Sequence, residues 1–139
     1  MSSNPSSFLT KCYSLNWKGI REASYFMENV HRCPELTEQE VKEWIAEARF
    51  LRAYYYFCLM RMWGPVPILG ESPVDYSGEE DRDLDRNTWD ECVDWVCEQC
   101  DLAAADLLTE QSSTWLGRAT KGAALALKSR VLLYSARPL

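Results

Sequence analysis

Residues 37–67 read TEQEVKEWIAEARFLRAYYYFCLMRMWGPVP, and this stretch decides the fold. Thr37 followed by Glu40 is a reciprocal helix-opening pair, in which the hydroxyl takes one free backbone N–H and the carboxylate another. Val41, Trp44, Ile45, Ala48, Leu51, Tyr55, Leu59 and Met62 then recur at helical period. Gly64-Pro65 closes the run, because neither residue continues a helix well. The expected helix is about 25 residues, roughly 37 Å long, and such length needs several neighbours to cover it. Tyr54-Tyr55-Tyr56-Phe57 spreads four large rings around most of its circumference, since successive residues are about 100° apart. One face cannot bury all four. A helix sandwiched between two layers accounts for them, and a stacking platform for a sugar ring is the other reading.

Upstream, Tyr13, Trp17, Ile20, Ser24, Met27 and His31 recur at spacings of four and three, and Ala23, Phe26 and Val30 widen the stripe. They predict a first helix that ends at Cys33-Pro34, with residues 1–7 as a frayed polar terminus. Downstream, Gly64-Pro65, Pro67, Gly70, Pro73 and Gly78, followed by charged residues without period, predict a long loop over 64–87. Thr88 and Glu91 repeat the capping pattern, and Trp89, Val93, Val96, Cys100, Ala103 and Leu107 mark a third helix. After a linker from Thr109 to Gly117, Thr120 caps a fourth helix carrying Ala123, Ala124, Leu127, Val131 and Tyr134. The class is therefore all-α, with antiparallel helix pairs as the unit. Ala46 and Phe50 fit one fragment of the tetratricopeptide signature. Val131 to Tyr134 have little sequence after them to pack on, so residues 1–139 read as one helical scaffold segment of a larger domain. Its uncovered apolar face would favour self-association.

The whole chain is 139 residues with 15 basic and 21 acidic side chains, a net charge of −6, and 47% hydrophobic residues. That apolar fraction supplies a core for one domain and excludes intrinsic disorder. No apolar stretch approaches the ~20 residues needed to span a bilayer, and no export signal precedes the first helix. A pI of about 4.8 without a basic tract removes the electrostatic drive for nucleic-acid binding. The charge is uneven: residues 71–106 carry 2 basic and 13 acidic groups, a net of −11. A solvated loop running into an acidic helix face is the plain reading of that block, and a metal or basic partner is the sharper one.

Candidate chemistry is sparse. Cys92, Cys97 and Cys100 lie on one predicted helix without a second ligand pair, which suits buried thiols better than zinc or a redox centre. Asp81-Arg82-Asp83-Leu84-Asp85 begins like a calcium loop, but Arg86 and Cys92 stand where an EF-hand needs Gly and Glu, leaving adventitious calcium. One histidine, and no nucleophile elbow or phosphate loop, argue against an enzyme. Arg49 and Arg52 have no carboxylate three or four residues away, so their partners lie off the helix. Interhelical pairing with acids such as Glu22, Glu28, Asp101 or Asp106 is one reading, and an anionic ligand is the other. Tyr76 and Trp115 fall in predicted loops, where an aromatic ring can meet a ligand.

The second helix and its exit resemble the SusD/RagB family, the surface nutrient-binding lipoproteins of Bacteroidetes-type glycan uptake systems. The resemblance rests on Ala46-Glu47-Ala48-Arg49-Phe50-Leu51-Arg52-Ala53-Tyr54-Tyr55-Tyr56-Phe57 followed by Arg61-Met62-Trp63-Gly64-Pro65-Val66-Pro67-Ile68. Trp17, Ile20-Arg21-Glu22-Ala23 and Phe26-Met27-Glu28-Asn29-Val30 agree with it, as does the run from Gly117-Arg118-Ala119-Thr120-Lys121-Gly122 to Tyr134. It implies a tetratricopeptide-like scaffold in a surface-exposed outer-membrane protein, held by a lipid anchor not present in this chain. It also implies capture of oligosaccharide for a TonB-dependent SusC-like transporter, without catalysis or cofactor. Within the motif Arg49, Arg52, Trp63, Gly64 and Pro67 are expected to be structural. No ligand-binding residue carries over, so Tyr76 and Trp115 rest on loop position alone. The alternative function is a helical-repeat module that binds another protein.

Overall fold

The computed structural model describes residues 7–70 and 84–137. Four helices follow in order, α1 (Ser7–Asn29), α2 (Glu38–Trp63), α3 (Trp89–Asp106) and α4 (Lys121–Ser135), with single 3-10 turns at Val30–Arg32 and Ser113–Trp115. No strand occurs among the described residues. α1 starts six residues before Tyr13, where the apolar period begins. Phe8 there is 69% exposed, so hydrophobic spacing gives no signal. The helix extends backward because each added residue gains a backbone bond once a helix is nucleated.

Both capping boxes form. The Thr37 hydroxyl accepts from the Glu40 N–H at 3.2 Å while Glu40 accepts from the Thr37 N–H at 2.9 Å. Thr88 and Glu91 do the same at 3.3 and 2.8 Å. These bonds favour the ionised carboxyl and hold both glutamates below their ordinary value of 4.5. The Thr120 hydroxyl accepts from the Ala123 N–H to open α4. α2 ends at Gly64, whose φ of +75° is a conformation that side chains disfavour. Its N–H reaches the Met60 carbonyl at 2.9 Å, and Pro65 then directs the chain away.

Each helix runs antiparallel to the one before it, as paired contacts at both ends show. Tyr13 meets Trp63 edge-on at 5.2 Å, and farther along Gly19 lies under the Tyr55 ring. Between α2 and α3, Arg49 donates to Gln99, and the chain just past α2 meets the start of α3 through Cys92 and Val66. Between α3 and α4, Lys128 pairs with Asp101 and Tyr134 lies beside Trp89. α2 thus lies between α1 and α3, and this explains its four consecutive rings. Tyr55 faces Gly19, Tyr56 packs between Trp17 and Trp95, Phe57 meets Tyr134 edge-on, and Tyr54 looks outward. A methyl at Gly19 would sit 2.6 Å from a Tyr55 ring carbon, so the absent side chain sets how closely α1 approaches.

Of the three arginines in α2, Arg49 and Arg52 have described partners other than the four acids named from the sequence. None of Glu22, Glu28, Asp101 and Asp106 receives their described hydrogen bonds. Arg49 donates to the Gln99 amide oxygen at 2.9 Å. Arg52, with no exposed surface, donates from Nη2 to the Leu69 carbonyl at 2.9 Å and to the Gly70 carbonyl. Its guanidinium also lies 5.3 Å from the centre of the Trp95 ring. The Leu69 N–H donates to the Tyr56 hydroxyl, and the Ile68 N–H to the Asn87 side chain. Residues 66–70 are therefore stitched to α2 and to the start of α3, and Pro67 lies half-buried within them.

All six cysteines are free thiols. Cys92 and Cys100 are buried in the core of α3, and burial pushes the Cys100 thiol up to about 12. On α4, Leu125, Leu132 and Leu133 are exposed.

Arg52→Ala should lower stability by about 3 kcal/mol or more, because it strands two loop carbonyls and leaves a void, as read from the urea midpoint at pH 7. The two capping glutamates contribute fully above pH 4.5, and that contribution is lost as pH falls through their lower folded values. Urea melts of the wild type below pH 4.5 should therefore lose stability more steeply than those of a Glu40→Gln, Glu91→Gln variant.

Candidate functional site

Where the second half of α1 passes the first half of α2, Ala23 and Ala48 line the seam and Gly19 lies against the Tyr55 ring. A groove of about 380 Å³ opens there, lined also by Phe26, Trp44, Leu51 and Tyr55. Glu22 and Glu47 bring carboxylates to it, one from each helix. The remaining wall comes from far along the sequence, from Trp115 and Arg118 in the connection between α3 and α4.

That connection is folded on itself. The Trp115 N–H donates to Ser112 at 2.9 Å and the Arg118 N–H to Trp115 at 3.1 Å. Gly117 has a φ of +99° that lets the chain reverse between them. Gln111 donates its amide to the Ala119 carbonyl at 2.9 Å. Arg118 then fastens the turn to α2. Its Nε donates to Glu47 at 2.8 Å, both side chains being largely covered. Its guanidinium lies 5.3 Å from the centre of the Trp44 ring and 4.8 Å from that of Trp115. Two indoles and a carboxylate hold one cation, an arrangement that suits the flat guanidinium and that a lysine would not reproduce. Trp115 itself remains 52% exposed. Chemically the groove offers aromatic surface, two carboxylate acceptors and guanidinium donors. It holds no grouping of His, Cys, Asp or Glu able to take a metal, nor does any other place among the described residues.

A second hollow of about 690 Å³ lies at the other end of the helices, lined by Arg61, Gly64, Pro65, Trp89, Tyr134 and Arg137. The Tyr134 hydroxyl donates to the Arg61 carbonyl there at 3.1 Å, and the Arg137 guanidinium covers the Tyr134 ring at 4.0 Å.

Of the two aromatic residues singled out in loops, Trp115 lines the first groove, while Tyr76 lies outside the described residues. The same is true of Asp81 to Asp83 in the calcium-like segment. Trp44 reads in sequence only as a periodic core position, and Glu47 carries no signal alone. Their spacing of three on one helix face is the available clue. Arg118 sits three residues after Trp115 with Gly117 between, a spacing that suits a tight turn.

A family model for SusD-like proteins, described as "Starch-binding associating with outer membrane", matches residues 3–133. A SusD-like protein of Formosa agariphila is 27% identical over 115 residues, which cover 83% of this chain and 21% of that protein. A crystal structure of a SusD-like protein from Bacteroides fragilis superposes with a TM-score of 0.81 at 31% identity, covering 91% of this chain and 24% of the other. A laminarin-binding SusD-like protein superposes with a TM-score of 0.80 at 27% identity, covering 89% and 26%. The chain spans between 15% and 21% of the length of the curated relatives it matches. No described helix is long and apolar enough to cross a membrane.

A double-mutant cycle on Glu47→Gln and Arg118→Met should return a coupling of about 1 kcal/mol from chemical denaturation, since the pair is partly shielded from solvent. Arg118→Met alone should also shift tryptophan emission, because the cation leaves two indoles at once.

Proposed function

The chain belongs to the SusD-like family, and we propose on that premise that it is the helical scaffold segment of a non-catalytic glycan-binding component of an outer-membrane uptake system. The observation that carries this reading is the family match over residues 3–133. The laminarin-binding neighbour of the same helical fold supports it. On this reading the protein lies at the cell surface, captures oligosaccharide and passes it to a TonB-dependent SusC-like transporter. The role of these residues is mechanical first. α2, covered on two sides, is a stiff strut that carries the stitched segment 66–70 and the folded α3–α4 connection in set positions. Sugar recognition needs such stiffness, because hydroxyl-rich ligands gain little per contact and any ordering of the site subtracts from binding.

A second reading, a helical-repeat module that binds a polypeptide, draws on the exposed leucines of α4. The two separate in one experiment on the complete protein encoded by the gene. It is run through native gels containing laminarin or soluble starch, assayed for released reducing sugar, and purified from detergent-solubilised outer membranes. Retardation by a glycan without sugar release, together with a co-purifying TonB-dependent transporter, is the expected result. Unretarded migration in every glycan, with no transporter recovered, would sink the uptake reading.

A further inference from the structure

We propose that the groove between α1 and α2 is a glycan subsite for neutral pyranose units, with Trp115 as its stacking face. The proposal rests on the glycan-binding reading above and adds to it a place and a ligand class.

Trp115 is exposed yet fixed. Its backbone is tied into the Ser113–Trp115 turn, and its ring lies against Arg118, which Glu47 and Trp44 hold in turn. An indole kept at the surface by a charged clamp is preorganised, so a ligand that stacks on it orders little else. The groove beside it, about 380 Å³, falls in the ~300–1,000 Å³ range of small-molecule sites. Its surfaces suit a sugar. The apolar C–H face of a pyranose packs on an aromatic ring, while its hydroxyls donate to carboxylates and accept from guanidinium N–H groups. Glu22, Glu47 and Arg118 stand around the aromatic surface to do this.

Charge decides the class. Among the described residues that line the groove, the cation is Arg118, and it is already engaged by Glu47 at 2.8 Å. Glu22 adds a second carboxylate, which among the described residues pairs with an exposed Lys18 at 3.6 Å. A uronate or sulfated sugar entering here would face two carboxylates and would have to displace an existing ion pair to gain a cation. A neutral sugar uses the same carboxylates as acceptors without that conflict.

The test uses the complete protein encoded by the gene, with native-gel retardation and calorimetry against laminarin, soluble starch, xylan and polygalacturonate. The wild type should bind at least one of the three neutral glycans and not polygalacturonate. Trp115→Ala should weaken that binding about tenfold or more, and Trp115→Phe should retain most of it. Leu51→Arg, at a half-exposed groove position, should weaken it as well, which keeps the test decisive if the alanine variant misfolds by near-ultraviolet circular dichroism. If Trp115→Ala folds normally and binds as the wild type does, or if Leu51→Arg does so, the subsite is overturned while glycan capture stands. Polygalacturonate binding that Trp115→Ala abolishes overturns the neutral class. Binding of none of the neutral glycans by the wild type overturns both the subsite and the capture reading.

Discussion

Arg52 carries a permanent positive charge into the middle of the helical layer with none of its surface in contact with solvent. Moving such a charge out of water is costly unless hydrogen bonds and a polarisable surface replace the lost hydration. Here the carbonyls of Leu69 and Gly70 and the face of Trp95 contribute to that replacement. The consequence spreads outward. To present both carbonyls, residues 66–70 must lie along α2, and in that position they also meet Tyr56, Asn87 and Cys92. The segment that leaves the long helix is thus held in one course, and the start of α3 with it.

A second arginine does related work nearer the start of α2, in a different solvent environment. Arg118 is partly exposed and stands between two indoles, with Glu47 as its counter-charge. Arg52 fixes a loop inside the layer, whereas Arg118 fixes a connection onto its edge and leaves Trp115 open to solvent. Both rely on the flat guanidinium, which can lie over a ring while its N–H groups bond in its own plane. The fold therefore places a rigid aromatic surface beside two carboxylates, which is chemistry suited to a hydroxyl-rich ligand.

The helix boundaries governed by capping chemistry are legible in the sequence. Thr37 with Glu40, and Thr88 with Glu91, act over three residues, so the local sequence contains the whole interaction. The start of α1 is not legible, because its first turns bury little and leave no periodic trace. The absence of acids near Arg49 and Arg52 correctly places their partners off the helix. It does not say which groups those are, since a sequence displays charges, whereas buried arginines also take amide and backbone oxygens that any residue can supply. Gly19 shows the same limit, as nothing near it in sequence announces the Tyr55 ring.

Sequence by itself determined the all-helical class, the four helices, the N-caps of the last three and the family motif at the exit of α2. Those features depend on periodicity and on contacts within a few residues. Only the tertiary structure decided which groups meet across the layer. It brought Glu47 and Arg118 together across 71 residues, set Trp44 and Trp115 against the Arg118 guanidinium, and opened a groove lined by α1, α2 and the α3–α4 connection. Such a site depends on how helices are stacked and on the course of their connections, and long-range packing sets both.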